Sequence, residues 1–287
     1  MEWPAVQVSS ISGVGGKHSP PYTIQFRLAV MSKENYKLKV AVLLVNPAVP
    51  DMIVEINGHR GRYYFDRKIS YYPGDDRIDS PIYGGDELNI DLPARFFKNG
   101  DNQLVLTAVQ DSDSPGTPSS LIYDALRLAA GTNQKLEPSA RIKPTVFYKQ
   151  KGQQAYEVTR VTITSPDKLG PGRVELSVGT QRFHGEFAAA NDFGQQRVDF
   201  EVPEFPAGTP ATLEVHSGLR KFQARATLTP ERKWTIYFVP HAHLDVGYTD
   251  YQARVMELQN RNIDKLLDFL PANPGMRFSL DLSLIHI

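Results

Sequence analysis

Short runs in which apolar and polar residues alternate fill the chain up to about residue 230. Alternation with a period of two is typical of strands that bury one face. Turn signals such as Asn57-Gly58, Asn99-Gly100 and Pro115-Gly116 separate the runs. The pattern predicts strands over residues 22–29, 38–45, 52–57, 62–65, 87–92, 103–109 and 121–128, and then over 156–164, 173–178, 197–202, 211–215 and 222–228.

The two strand series predict two antiparallel β-sandwiches. We expect a jelly roll over residues 21–130 and an immunoglobulin- or fibronectin-like sandwich, serving as a structural spacer, over 145–230. Residues 1–20 are rich in Ser, Gly and Pro and predict a flexible arm, and residues 131–144 predict a linker. The fold class predicted for this part of the chain is therefore mainly β.

The pattern changes in the last segment, residues 231–287. Trp234 to Val239 form a continuous apolar run, which predicts a strand buried on both faces. Thr249 and Gln252 have the spacing of a capping box, and apolar residues then recur at helical spacing as far as Leu270. Residues 276–281 predict a second strand, so that the segment is expected to form one βαβ unit.

A cluster of metal-binding residue types follows the first of these strands, in the run Pro240-His241-Ala242-His243-Leu244-Asp245-Val246-Gly247-Tyr248. In extended backbone His241, His243 and Asp245 project toward one side. Two imidazoles and a carboxylate suit zinc, and Mn²⁺ or Co²⁺ as well. Ligand sites in α/β folds lie beyond the carboxyl ends of the strands, so the position of the run favours a metal site.

The spacing alone leaves other interpretations open. Two His and one Asp also occur in solvated turns. Metallo-β-lactamase-like hydrolases, amidohydrolases and polymerase-associated phosphoesterases place His and Asp in the same way. The first of these groups would have a further His directly after the Asp, where this chain has Val246.

With its flanks, the run resembles the start of the catalytic domain of glycoside hydrolase family 38, the α-mannosidases. That family has a Pro-His-x-His-x-Asp-x-Gly-aromatic signature at the end of the first barrel strand, and the resemblance covers about residues 231–281. It implies that His243 and Asp245 are zinc ligands and that His241 is a neighbour that shapes the site. Tyr248 would contact the sugar, where the family usually has Trp.

By the same resemblance the enzyme is a retaining glycosidase that acts on a mannose-containing glycan. The family uses a covalent glycosyl-enzyme intermediate and two carboxylates, and its zinc ion has two further ligands. In the family those residues lie well downstream, so none can be assigned before Ile287. We therefore expect a truncated α/β barrel without catalytic residues of its own, weak metal binding and no hydrolysis by this chain alone.

The first predicted sandwich resembles the carbohydrate-binding-like jelly roll of rhamnogalacturonan lyases over about residues 35–130. The resemblance rests on Val54-Glu55-Ile56-Asn57-Gly58, the turn at residues 99–104 and the strand at 122–128. Aromatic side chains in this region are candidates for stacking on sugars. The candidates are Tyr63, Tyr64, Phe65, Tyr71, Tyr72 and Tyr83. Strand alternation predicts that half of these side chains belong to the core instead.

Composition limits the partners. The chain has 32 Lys and Arg against 32 Asp and Glu, a balance that argues against nucleic acid or an anionic membrane as the main partner. There is no cysteine, which excludes disulfides and Cys-ligated zinc. No apolar run approaches the ~20 residues of a membrane span, and no signal peptide is visible. We therefore expect a soluble protein, and the sequence does not indicate its cellular compartment.

The leading hypothesis is thus that the chain is the N-terminal part of a zinc-dependent, α-mannosidase-like glycoside hydrolase. One alternative is a non-catalytic, carbohydrate-binding β-sandwich protein, whose ligand is a mannose-containing glycan or another carbohydrate. A second is a metal-dependent hydrolase that cleaves a different kind of bond.

Overall fold

The computed structural model describes residues 6–9, 11–13, 16–30, 34–44, 49–65, 84–110, 119–131, 135–189, 191–235, 241–242 and 250–280. It divides the chain into two compact units, Met1–Glu231 and Arg232–Ile287. The first unit is built from strands and the second contains the long helix. The prediction of a mainly-β sandwich fold is confirmed.

The strands of the first unit are numbered here in chain order. They are β1 (Val6–Val8), β2 (Ile11–Gly13), β3 (Gly16–His18), β4 (Tyr22–Leu28), β5 (Tyr36–Leu44), β6 (Asp51–Ile56), β7 (His59–Tyr64), β8 (Gly84–Leu92), β9 (Gly100–Val109), β10 (Ser120–Ala130), β11 (Ser139–Lys151), β12 (Gln154–Ser165), β13 (Gly172–Val178), β14 (Gln181–Phe187), β15 (Phe193–Pro203), β16 (Thr209–Ser217) and β17 (Arg220–Leu228). A 3₁₀ turn, Ala94–Phe96, precedes β9.

Three sheets carry the architecture. One has the order β1-β10-β5-β8, a second has the order β11-β12-β15-β7-β6-β9-β4, and a third has the order β14-β13-β16-β17. The first sandwich consists of the first sheet and the β7-β6-β9-β4 half of the second. The second sandwich consists of β11-β12-β15 and the third sheet. The seven-stranded sheet therefore runs through both sandwiches.

Each sandwich has its own core, formed by the alternate residues of its strands that face inward. The core of the first contains Leu38, Val40, Val54, Ile90 and Leu106 among others. The core of the second contains Val161, Ile163, Leu176, Leu213 and Val215 among others. In β16 alternate residues are buried, as the period of two predicts.

Phe193 joins the two sandwiches. It begins β15, a strand of the second sandwich, yet it is 2% exposed and belongs to the core of the first. Its ring packs against the rings of Tyr63 and Phe96, with centroids 6.2 and 5.1 Å away. Gly61 makes room for it, because a Cβ at Gly61 would lie 2.6 Å from the Phe193 ring.

Backbone hydrogen bonds hold this join in register. Phe193 and Gly194 pair in parallel with Gly61 and Arg62. Just before the pair, the Asp192 amide donates to the Arg60 carbonyl over 2.8 Å, and the Arg60 amide donates to the Asp192 carboxylate over 3.0 Å. The two sandwiches thus form one compact unit despite their separate cores.

The prediction of a flexible arm over residues 1–20 is corrected by the structure. β1 pairs with β10, and Gln7 within it is fully buried. The Gln7 amide donates to the carbonyls of Pro20 and Leu106 over 2.8 and 3.0 Å. Its oxygen accepts from the Tyr123 hydroxyl over 2.6 Å. A buried polar group is stable when its hydrogen bonds are made, so this Gln anchors the segment instead of leaving it solvated.

The predicted linker, residues 131–144, is also shorter in the structure, because β11 begins at Ser139. β11 was not predicted as a strand, and neither was β14, in which His184 lies. In β11 the register shifts between Pro144 and Tyr148, where a proline and a bulge interrupt the alternation.

The first unit ends in a pair of hydrogen bonds to the backbone of Glu231. Its amide donates to the buried Glu157 carboxylate over 2.7 Å, and its carbonyl accepts from the Tyr148 hydroxyl over 2.6 Å. Burial and the nearby Glu157 charge raise the pKa of Tyr148 to about 12. The hydroxyl therefore keeps its proton and remains a donor across the physiological pH range.

The second unit contains β18 (His241–Ala242), α1 (Gln252–Phe269), a 3₁₀ turn (Leu270–Ala272) and β19 (Ser279–Leu280). The predicted capping box is wrong, because the helix begins at Gln252 and its N-cap is Tyr251, without a side-chain cap. Gln252 is thus the first helical residue, whereas the box requires the third.

Candidate functional site

The sequence motif begins in β18. His241 pairs in parallel with Ser279, and Ala242 pairs with Leu280. Helix α1 lies between the two strands in sequence, so the order is strand, helix, parallel strand, which is the predicted βαβ connection. His243, Asp245 and Tyr248 lie outside the described residues, as does the side chain of His241. The predicted metal ligands therefore remain a prediction.

The start of the predicted buried strand is corrected. Trp234 and Thr235 are not in a strand, and Trp234 is 66% exposed. Its ring lies against the guanidinium of Arg232, whose Cζ is 4.2 Å from the ring centroid. This contact covers one face of an indole that the sequence assigned to the interior.

Helix α1 buries a narrow face. Val255 is buried, and Gln259, Ile263 and Leu266 are half-buried at spacings of three and four residues. Such spacing places side chains on one side of a helix. Other apolar residues of the helix are exposed: Met256, Leu258, Leu267 and Phe269.

Among the described residues, no group of three or more His, Asp or Glu side chains has an arrangement that could hold a metal ion. His184 and His216 lie in the second sandwich, next to carboxylates. The distances are 3.8 Å from His184 Nδ1 to Glu175 and 3.5 Å from His216 Nε2 to Glu214.

The aromatic cluster divides between core and surface, as strand alternation predicts. Tyr63 and Phe65 are 4% and 3% exposed and belong to the first core. Burial raises the pKa of Tyr63 strongly. Tyr64 points to the opposite face, where Arg197 lies 3.9 Å and Arg62 5.5 Å from its ring centroid. Tyr71, Tyr72 and Tyr83 lie outside the described residues.

The side chain of Tyr64 lines a cleft between the two sandwiches, here called the inter-sandwich cleft, with a volume of about 290 Å³. Strand β8 of the first sandwich forms one wall through Glu87 and Asn89. The second sandwich forms the other wall through polar side chains of β11, β12 and β15: Arg141, Thr162, Thr164 and Gln195. Gln195 is fixed in place, because its side-chain oxygen accepts from the Tyr64 amide over 3.1 Å.

The electrostatics of this cleft favour binding over acid–base chemistry. A hydrogen bond from Lys39, with a second from the Asn89 amide, lowers the pKa of Glu87. Glu87 is therefore ionised at neutral pH and accepts hydrogen bonds instead of donating a proton. With hydroxyl, amide and guanidinium groups around it, the cleft suits a polar ligand.

Sequence reasoning missed this cleft. Asp86, Asn89, Arg141 and Gln195 come from strands that are far apart in the chain. The parallel pairing of β7 with β15 joins the two sandwiches to which these strands belong. Nothing in the local sequence pattern signals that pairing.

A family model matches residues 2–128, which is less than half of the chain. It describes a CBM-like domain, domain III of polysaccharide lyase family 4. The predicted resemblance of the first sandwich to a carbohydrate-binding-like lyase domain is confirmed, over a segment that begins earlier than residue 35. No curated protein matches the chain.

Solved structures with detectable similarity include glycosidases. The calcium-binding mutant of Bacteroides uniformis β-glucuronidase 2 is 11% identical, with 72% of this chain and 26% of that chain covered and a TM-score of 0.24. Ruminococcus gnavus β-glucuronidase is 11% identical, with 72% of this chain and 34% of that chain covered and a TM-score of 0.22. Parabacteroides merdae β-glucuronidase is 12% identical, with 80% of this chain and 32% of that chain covered and a TM-score of 0.24. This chain thus spans about a third or less of their length, and TM-scores this low support no argument about fold or activity.

Within the part of the chain that the structure describes, no helix is both long and apolar enough to span a membrane. Helix α1 is too polar to cross a bilayer. The family match supports the conclusion that residues 2–128 resemble a carbohydrate-binding-like β-sandwich.

Proposed function

We propose that this chain is part of a zinc-dependent, α-mannosidase-like glycoside hydrolase, in which the two sandwiches precede the first βαβ unit of a catalytic barrel along the chain. The observation that carries the proposal is the parallel pairing of β18 with β19, with helix α1 as the connection. His241 is the first residue of β18, and the other residues of the motif follow that strand in sequence. This order is the one that α/β barrels use to present ligands at strand ends.

The donor set fits zinc. His243 would supply an imidazole and Asp245 a carboxylate, with His241 beside them and Tyr248 against the sugar. Bound zinc would grip sugar hydroxyls and so position the substrate. The residues of this chain would hold and orient the glycan, and the nucleophile and acid/base would come from other residues of the enzyme.

Metal binding by the chain tests the proposal directly. Titration with Zn²⁺ against a chromophoric chelator should show one weak site in the wild type. The variants His243→Ala and Asp245→Ala should lose it, since only two ligands are available. The matched control is His216→Ala, in the second sandwich, which should bind as the wild type does. Equal binding by His243→Ala would contradict the ligand assignment.

Substrate choice needs the product of the complete gene. We expect it to hydrolyse an aryl α-mannoside, and His243→Ala to reduce kcat/KM by about three orders of magnitude or more, as for loss of a metal that positions substrate. Hydrolysis of an aryl β-glucuronide or β-galactoside in place of the α-mannoside would keep the glycosidase and refute the α-mannosidase. Cleavage of a non-glycosidic ester or amide would favour the metal-dependent hydrolase alternative.

The family match to residues 2–128 favours a second function, carbohydrate binding by the first sandwich. This function does not depend on the metal motif. A glycan array probed with the full chain tests it: retained sugar binding in His243→Ala, together with no hydrolysis by the complete protein, would make the chain a non-catalytic binding protein.

A further inference from the structure

The first sandwich has a second polar depression, a groove of about 690 Å³ at the end where the turns before β7 and β9 meet. We call it the turn-end groove. Its walls are exposed polar side chains of neighbouring strands and of the turn: Gln25 and Arg27 of β4, Lys98, and Asp101 and Gln103 of β9. Phe26 contributes a half-buried ring. The volume lies within the ~300–1,000 Å³ that small-molecule sites occupy.

Antiparallel pairing sets the spacing of these groups. Gln25 lies opposite Gln103, and Arg27 lies opposite Asp101. Directly opposed residues in such a ladder have Cβ atoms about 4.5–5.5 Å apart. Two amides and an opposite-charge pair therefore stand side by side, within reach of adjacent substituents on one small ring.

Two asparagines make the floor of the turn-end groove rigid. Asn57 has a left-handed backbone, with φ of 48°, and its Nδ2 donates to Phe96 O and to Asn102 Oδ1, each over 2.8 Å. Asn102 is 3% exposed, and its Nδ2 donates to the carbonyls of Lys98 and Gly100 over 2.8 and 2.9 Å. The polar side chains of the walls thus stand beside a hydrogen-bond network that does not use them, which is what a preorganised site needs.

The five polar side chains of the walls keep their hydrogen-bonding capacity. Within the described ranges, Gln25, Arg27, Lys98, Asp101 and Gln103 make no side-chain hydrogen bond or ion pair with the protein. On the outer face of the opposite sheet the charges are paired instead, Lys37 with Asp91 and Lys39 with Glu87. The contrast separates a face saturated by its own contacts from one open to a ligand.

We propose that the turn-end groove binds a pyranose oligosaccharide through Gln25, Arg27, Asp101 and Gln103, with Lys98 at its end. Amides donate and accept, carboxylates accept and cations donate, so together they match neighbouring hydroxyl groups, each of which does both. The proposal rests on the carbohydrate-binding function proposed above and gives it a location.

The test is isothermal titration of the full chain with a neutral manno-oligosaccharide and an acidic oligogalacturonate. We expect binding of at least one of them, and a loss of affinity of tenfold or more in Arg27→Ala and in Gln103→Ala. A neutral ligand should bind nearly independently of salt. An acidic one should weaken as salt screens Arg27 and Lys98.

The matched control is Arg127→Ala, an exposed arginine on β10 of the same sandwich, which should leave affinity unchanged. Circular dichroism should show that all variants fold, since none of the substituted side chains is buried. If the wild type binds a sugar and both groove variants bind it equally well, the groove is refuted while carbohydrate binding stands. If the wild type binds neither oligosaccharide, the groove and the carbohydrate-binding function both fall.

Discussion

Two of the contacts between the sandwiches have opposite character. Phe193 inserts an apolar ring into the core of the first sandwich, where it is 2% exposed. At the other contact Asp167 of the second sandwich pairs with Arg95 of the first and also lies 3.0 Å from Arg220 of its own sandwich. Those arginine side chains are 58% and 46% exposed, so water screens the pairing. We infer that the buried ring joins the sandwiches and that the surface charges contribute little.

Replacing the buried ring should have the largest effect. Phe193→Ala should lower the free energy of unfolding by about 3–5 kcal/mol, the usual cost of removing a core Phe. Because the ring comes from a strand of the second sandwich and packs in the core of the first, the variant should also unfold in two steps in urea, followed by circular dichroism. Phe147→Ala is the control, because Phe147 is 47% exposed, and it should change little. A single unshifted transition in Phe193→Ala would refute the role of the ring.

Filling the space beneath the ring should have the next largest effect. Gly61→Ala adds a Cβ that would lie 2.6 Å from the Phe193 ring, so we expect a loss of about 1–3 kcal/mol from overpacking. Gly170→Ala is the matched control, because the nearest atom to its Cβ is 3.9 Å away. Combining Gly61→Ala with Phe193→Leu should cost less than the sum of the two single changes, since both act on one contact. Strict additivity would show that the two positions do not share strain.

Removing the surface ion pair should have a small effect. Asp167→Ala should cost at most about 1 kcal/mol, and the difference from the wild type should shrink in 1 M salt. Equilibrium unfolding at low and high salt measures both. A loss comparable to that of Phe193→Ala would reverse the ranking of the two contacts.

The hydrogen bonds of the exposed Glu201 carboxylate should affect the free energy of unfolding mainly at low pH. Hydrogen bonds from Lys149 and Lys151 lower the pKa of Glu201 to about 2. A lowered pKa stabilises the folded state at pH values above the ordinary pKa of a Glu side chain, 4.5, and this contribution disappears as the pH falls from there through about 2. Glu201→Gln should therefore flatten the acid limb of the stability curve relative to that of the wild type. An unchanged acid limb would contradict this.

The strands were predictable because alternation is a local property. β13, β16 and β17 bury alternate residues, and their predicted bounds agree with the structure within a few residues. β11 was missed because its three lysines, one glutamine and one proline have the composition of a linker, and its bulge breaks the period. The buried position of Gln7 could not be foreseen, since its partners Leu106 and Tyr123 are about a hundred residues away.

The candidate sites differ in the same way. The metal motif was visible because its residues are contiguous, and the structure adds the parallel pairing of β18 with β19. The inter-sandwich cleft and the turn-end groove were invisible because strands distant in sequence form them. Only the Asn57-Gly58 and Asn99-Gly100 turns gave a local sign of the second, as turn signals and not as a binding surface.

The insertion of Phe193 has a practical consequence for anyone who divides this protein. A cut between residues 131 and 139, where composition and the start of β11 both suggest a boundary, would separate the ring from the pocket over Gly61. The N-terminal piece would expose the faces of Tyr63 and Phe96, and the C-terminal piece would carry an unshielded Phe. Both pieces would tend to aggregate, so expression and crystallisation trials should keep residues 6–231 together.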